Sequence, residues 1–479
     1  MTRIPFDFPQ RARRALAQYG FSADFPAAVC DSLRTLQPRI PADARDLRSL
    51  AWSSIDNASS RDLDQIEVSE KMPDGSTRLL IGIADVDSLV AKGSPLDQQA
   101  AVNTTSIYTG GATFPMLPEE LSTDRTSLRE GEERLAVVIE LVVSPGGALV
   151  SSDAFAARVV NKAQLNYETM GPWLEDRGPM PEKIARVPGL ESQLRWQAEV
   201  SDQLGKFRQT QGALAFSSRE PVPVVVQGEI ESLHLEAPNR SRNMIQNFMV
   251  EANMAAAMRL RQRGIPALRR VVPKPERWDR IREIAAQHGQ TLPLEPISRA
   301  LADFMAGEKA RDPEKFPELS LSIVKLLGPG EYVVDVPGGE HVEHFGLAVA
   351  DYAHATAPNR RYADLVTQRL LKSPTPAYSA EELAGIAAHC NERAAAARKV
   401  ERLMRKVAAA VVLAPRTGEV FPATVTGAKS SGVFARLQTV PAEGRVVRGE
   451  AGLDVGDRVR LRLLSADPES GFIDFEAVR

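Results

Sequence analysis

Between Ile55 and Ile66 the chain reads Ile-Asp-Asn-Ala-Ser-Ser-Arg-Asp-Leu-Asp-Gln-Ile, which places three carboxylates, Asp56, Asp62 and Asp64, within nine positions. Asp62 and Asp64 are two apart, so they share a face wherever the backbone is extended. The small residues Asn57 to Ser60 can turn the chain and bring Asp56 beside them. Mg²⁺ is held by a few carboxylates together with water and substrate phosphate, so the stretch is a candidate metal site. A solvated turn is the alternative, since Asp, Asn and Ser favour both. A second stretch, His344 to Leu371, sets Pro358 just before Arg360 and Arg361 and follows them with a helical pattern from Ala363. An arginine at a helix start can clamp a phosphate with its planar fork. Two solvated arginines are the alternative there.

These side chains need a large scaffold. At 479 residues the chain predicts about three domains at roughly 150 residues each. Apolar content of 43% and charged content of 25% fit a folded soluble protein. A net charge of −3 excludes a polycation, so any nucleic-acid path is a local basic groove. Cys30 and Cys390 are too few for a zinc site and fit a reducing compartment. The longest apolar runs, such as Ala136 to Val143 with Glu140 inside, are too short to span a membrane. Arg3 is followed by no apolar core, so no signal peptide is read. The expectation is a cytoplasmic monomer without a membrane partner.

Two helical patterns, through Ala12, Leu16 and Tyr19 and through Ala27, Val29, Leu33 and Leu36, make a short N-terminal arm over residues 1–44. It is either helix-turn-helix-like or a cap on the main domain. Strands are expected at Arg78 to Asp85 and Leu135 to Val143. Between them, the glycines and prolines of Tyr108 to Pro118 argue against regular structure. A wide apolar stripe makes Asn243 to Gly264 a central buried helix. Tyr167, Trp173 and Trp196 fall in helices. The capping box Ser379-Ala-Glu-Glu382 opens a long basic helix that ends at Pro415. Its Arg393, Arg398, Lys399, Arg402, Arg405 and Lys406 are solvated or contribute phosphate contacts. Five short strands in 416–479 have the rhythm of an OB barrel, with an SH3-like barrel as the competing fold. Phe421, Phe434 and Arg436 are the residues there placed to face a nucleic-acid strand.

Ile55-Asp-Asn-Ala-Ser-Ser-Arg-Asp-Leu-Asp64, Ile83-Ala-Asp-Val86, Pro115-Met-Leu-Pro118 with Leu121-Ser122, and His344-Phe-Gly-Leu347 with Pro358 and Arg360-Arg361-Tyr362 resemble, in order, the RNB catalytic domain of the ribonuclease II family. The likeness runs from about Arg45 to about Pro376, and the C-terminal segment resembles the S1-like OB domain that follows RNB domains. The implied fold class is α+β: a central mixed α/β RNB domain over 45–415, a helical arm before it and an OB-fold barrel after it. The implied activity is Mg²⁺-dependent, processive 3′ to 5′ hydrolysis of single-stranded RNA to nucleoside 5′-monophosphates in RNA turnover.

The resemblance also implies roles. Asp56, Asp62 and Asp64 match the family's metal aspartates, Asp64 being the most directly catalytic, and Arg360 matches the arginine on the scissile phosphate. Tyr108 and Phe216, the latter in Gly212-Ala-Leu-Ala-Phe216, match the aromatic clamp on RNA. Tyr167 matches the tyrosine that orients the terminal nucleotide, while Arg361 and Glu401 are further RNA-binding candidates. Four departures stand out. Gln65 replaces a fourth aspartate and can ligate only through its neutral carbonyl. Gln246 and Asn247 replace an acidic pair, Ala357 and Asn359 replace the usual serine and isoleucine, and 44 residues cannot hold the two cold-shock domains common before the catalytic domain. An RNA path shaped only by the arm and the barrel is expected to be wider and to admit partly structured RNA. The losses at Gln65, Gln246 and Asn247 leave a second reading, an RNB-fold RNA-binding regulator or scaffold with weakened catalysis.

Overall fold

A strand covered on both faces reads as a continuous apolar run, and Thr77–Ala84 does so at the centre of a seven-stranded sheet. The computed structural model describes residues 6–478 except 217–220, 227–228, 236–237, 314, 340–342 and 430–431, and omits the side chains of Pro221 and Lys429. The reading at Arg3 therefore lies outside the described residues. The chain begins with helices α1 (Phe8–Gln18) and α2 (Ala27–Leu33) and then enters strands β1 (Arg45–Asp46), β2 (Ser53–Asp56), β3 (Gln65–Lys71) and β4 (Thr77–Ala84). Helix α3 (Pro95–Asn103) leads to a small hairpin, β5 (Ile107–Tyr108) and β6 (Thr113–Phe114). Then come β7 (Glu133–Val143), β8 (Leu149–Val160) and β9 (Ala163–Asn166), giving the sheet order β1-β8-β7-β4-β3-β2-β9.

Four helices follow: α4 (Tyr167–Leu174), α5 (Glu182–Ala185), α6 (Leu190–Thr210) and, beyond the hairpin β10 (Pro221–Val226)–β11 (Glu229–Leu235), α7 (Arg240–Gln262). The strand pair β12 (Ala267–Val271) and β13 (Glu331–Asp335) brackets α8 (Trp278–Gln287), α9 (Ser298–Arg311) and α10 (Phe316–Leu327). Helices α11 (Tyr362–Lys372) and α12 (Ala380–Leu413) complete the central body. One sheet face, with Ile66, Val68 and Leu80, packs on α2, α3, α11 and the start of α12. The other, with Ile55, Ile81 and Ile83, packs on α4, α6 and α7. The capping box at Ser379 and Glu382 forms both of its bonds.

Strands β14 (Val420–Lys429), β15 (Gly432–Leu437), β16 (Glu443–Arg448), β17 (Arg458–Asp467) and β18 (Phe472–Val478) close into a barrel over their own apolar core, which takes in the end of α12. Phe421 is 2% exposed inside that core, so its expected contact with a nucleic-acid strand is corrected. The arm is a cap: α1 lays Phe8, Ala12, Ala15 and Leu16 on α12. Arg393 is withdrawn from the basic face by this packing, since its guanidinium donates to the carbonyls of Tyr19 (3.2 Å) and Gly20 (2.9 Å). Among the described residues no helix is long and apolar enough to cross a membrane.

Candidate functional site

Leu63 fixes the presentation of the acidic stretch. It is 1% exposed in the sheet core, its N–H donates to Ser127 Oγ (3.0 Å) and its carbonyl accepts from Leu128 N (3.0 Å). Asp64 O accepts from Ala84 N (2.9 Å), which ties the stretch to the end of β4. Asp56 ends β2, where its Oδ1 accepts from Ser60 Oγ and Asn57 N, both at 2.7 Å. Asp62 Oδ2 accepts from the Tyr108 hydroxyl at 3.3 Å. Asp64 Oδ1 accepts from the backbone N–H of Asn359, 295 positions away, at 3.1 Å, and its Oδ2 lies 3.4 Å from Arg360 Nε.

Burial dominates the electrostatics. It pushes Asp64 up to about 7, with Asp62 adding to the rise and Arg360 opposing it. Asp62 is raised mainly by burial, and the neighbouring Asp56 carboxylate adds to this. Glu67, 1% exposed on β3, is pushed well above the carboxylate range by burial and then by Asp56, and its Oε1 has no hydrogen-bond partner. Buried, mutually repelling carboxylates are the donor chemistry a hard cation stabilises. Among the described residues, however, no three His, Cys, Asp or Glu side chains stand close enough to hold one ion. One oxygen of Asp56 is taken up by Ser60 and one of Asp62 by Tyr108, contacts that compete with an ion for those atoms. Gln65 opens β3, 8% exposed, on the sheet face it shares with Glu67.

Arg360 is half exposed, with its backbone carbonyl accepting from Ser106 N (3.0 Å) and Thr105 Oγ1 (3.2 Å). Arg361 differs. Its Nη2 donates to Asp364 Oδ1 at 2.7 Å inside the first turn of α11, a pairing within its own helix. Tyr108 is 42% exposed, and its backbone N–H lies 3.5 Å from Glu401 Oε1 on α12. Tyr167 opens α4 with the Arg242 guanidinium 4.4 Å from its ring centroid. Phe216 is 39% exposed at the end of the loop after α6. Direct contacts thus join Asp62 and Glu401 to Tyr108 and, separately, Asp64 to Arg360, and among the described residues no hydrogen bond or ion pair ties the side chain of Phe216 or Arg361 to either set.

Sequence reasoning missed the groups that hold these residues. Asn359, read only as a departure from the family pattern, donates its N–H to Asp64 and accepts through Oδ1 from Thr126 Oγ1 at 2.6 Å. The signal available was its place between Pro358 and Arg360. Asn247 donates to Ser201 O (3.0 Å) and Oγ (2.9 Å) and accepts from Arg208, a pairing no carboxylate can make because it lacks a donor.

The RNB domain matches residues 44–375, and the RNase II-type exonuclease C-terminal S1 domain matches residues 419–478. The chain is 28% identical over 502 positions to ribonuclease R of Escherichia coli (strain K12), covering 95% of this chain and 60% of that protein. It is 30% identical over 335 positions to exoribonuclease 2 of Escherichia coli O17:K52:H18, covering 68% of this chain and 50% of that protein. It thus spans about 60% or less of the length of these two relatives. In fold it is similar to Mycoplasma genitalium RNase R in complex with ribose methylated single-stranded RNA, with a TM-score of 0.88 at 22% identity, covering 98% of this chain and 78% of that one.

Proposed function

This chain belongs to the RNB-domain family, and from that premise we propose that it is a Mg²⁺-dependent 3′ to 5′ exoribonuclease. It acts as a cytoplasmic monomer and removes nucleoside 5′-monophosphates processively from single-stranded RNA. The observation that carries the reading is the meeting of Asp64, buried and carrying a raised pKa, with the half-exposed Arg360 at 3.4 Å. A buried acid with a raised pKa beside a specific charge partner is the arrangement by which reactive groups are tuned.

Asp56, Asp62 and Asp64 would hold the cation, with the Gln65 carbonyl as a neutral fourth donor. The cation supplies charge neutralisation on the phosphodiester and a more acidic attacking water. Arg360 exchanges Asp64 for the scissile phosphate and stabilises the charge that develops there. Tyr108 and Phe216 offer ring faces worth about 1–3 kcal/mol per stacked base without reading sequence. Tyr167, its ring under Arg242, orients the terminal nucleotide, and Glu401 steadies the backbone that carries Tyr108.

The test is a 5′-labelled single-stranded RNA incubated with Mg²⁺, with EDTA, and in its DNA version. Stepwise shortening of the RNA that stops in EDTA is the expected result. Tight binding without shortening would favour the scaffold reading, which draws on Gln65 and on the separation of the acids.

A further inference from the structure

The β5–β6 hairpin has two residues in each strand, far too few for a hairpin to hold itself together. Its turn has bonds of its own, Thr109 N to Ala112 O (3.0 Å) and Ala112 N to Thr109 Oγ1 (3.1 Å). Its base is tethered to the arginine loop, where Tyr362 N donates to Thr104 O at 2.8 Å. These bonds shape the tip and tether the base, but neither joins the tip to another element. One face of the ladder, Ile107 and Phe114, is buried in a cluster with Phe8 and Leu16 of α1 and Met404 of α12. The other face carries Tyr108, whose hydroxyl reaches Asp62. At the tip, a Cβ added to Gly111 would lie 2.7 Å and 2.8 Å from Cδ1 and Cε1 of the Phe8 ring. On the far side a Cβ on Gly110 would meet Pro223 of β10 at 2.6 Å.

The helix that supplies Phe8 is itself firmly placed. Asp7 caps it by accepting from Gln10 N (2.8 Å), and Arg11 Nε donates to Glu469 O (2.7 Å) in the turn between β17 and β18. Arg14 reaches the same residue's carboxylate at 2.8 Å.

We propose that Phe8 is a positioning residue: its ring is the seat on which the Tyr108 hairpin rests, so that α1 sets how firmly the site holds the end of an RNA strand. The proposal rests on the reading of Tyr108 as an RNA-stacking residue given above. Loosening the seat lets the phenol leave the face a base would stack on, while Asp64, held by β4 and by Asn359, and Arg360, held through its carbonyl at the hairpin's base by Ser106 and Thr105, stay where they are.

The experiment compares Gly111→Ala, Phe8→Leu and the double variant. Gly111 has an ordinary φ, so its alanine form is opposed only by the Phe8 ring, and leucine leaves room for it without emptying the core as alanine would. Amide hydrogen exchange over residues 107–114 reads the seat, and KM and kcat on a 5′-labelled single-stranded RNA read its use. Gly111→Ala is expected to speed exchange in the hairpin and to raise KM about fivefold, one weak stacking contact, with kcat within about twofold. Phe8→Leu/Gly111→Ala returns both towards wild type, a recovery that general damage to the fold would not show. Unchanged exchange in Gly111→Ala, or a defect the double variant does not relieve, overturns the seat. If the exchange pattern holds while wild type shortens no RNA, the exonuclease reading fails and the seat stands.

Discussion

The acidic stretch and the arginine stretch meet at one site but treat charge in opposite ways. Around Asp64 the chain buries carboxylates beside one another, with Asp62, Asp64 and Glu67 all shifted towards their neutral forms. Around Arg361 and Arg369 it buries charge in matched sets. Arg369 donates to Asp87 (3.0 Å), Asp97 (2.7 Å), the Tyr378 hydroxyl (2.7 Å) and the carbonyl of Val90 (2.7 Å), while Lys372 bonds Asp85 and Asp87. Uncompensated charge marks where a ligand belongs, and compensated charge marks what holds that place rigid.

The largest effect should come from the uncompensated side. Asp64→Asn is expected to cut RNA shortening at least ~1000-fold, about 4 kcal/mol of barrier, while RNA retention on a filter stays intact. Because a buried anion is removed, the same variant should unfold later at pH 8 in EDTA, by about 1–3 kcal/mol. A cleaving Asp64→Asn would break the contrast. On the compensated side, Arg369→Met leaves Asp97 without its cation, while Asp87 keeps Lys372. Its unfolding midpoint in urea should fall by about 3–4 kcal/mol, with the folded fraction cleaving normally.

The two stretches also predict opposite responses to acid. Burial holds His344 down at about 4 against an ordinary 6.5, so the unfolded chain takes up the proton first. Stability from this residue is therefore complete above about 6.5 and is lost as pH falls towards 4. It amounts to about 2 kcal/mol between pH 7 and 5, and a thermal series should lose that slope in His344→Gln. Asp64, raised to about 7, binds its proton in the folded state first and gains stability over the same descent, a gain Asp64→Asn should erase. Parallel slopes for the two variants would refute the distinction. The smallest change concerns Gln65→Asp: the Mg²⁺ concentration giving half-maximal rate should drop about tenfold, and a Mn²⁺ binding isotherm reads the same shift without turnover.

What the sequence made legible was whatever is decided locally. The capping box at Ser379, the apolar run of β4 and the close spacing of Asp56, Asp62 and Asp64 all lie within a few residues. The Tyr108 hairpin was read as irregular because its own ladder is negligible and its support comes from Phe8 and from α12. Arg361 looked like a twin of Arg360, yet the helical turn that begins there aims it at Asp364. Strand β8 went unread because Ser151, Ser152, Ala154, Ala156 and Ala157 make no apolar run, and only pairing with β7 and β1 shows its place.

The clasp between Arg11 and Glu469 joins residues 458 positions apart. At about 5–20 residues per second of synthesis, α1 waits roughly 20 to 90 seconds for this partner to exist. Until then the helix can pack on α12 but cannot clasp the turn between β17 and β18, so that clasp, a contact of long separation, is a late event of folding. An unfinished chain would hold its aspartates and Phe8 before the clasp that anchors α1 exists.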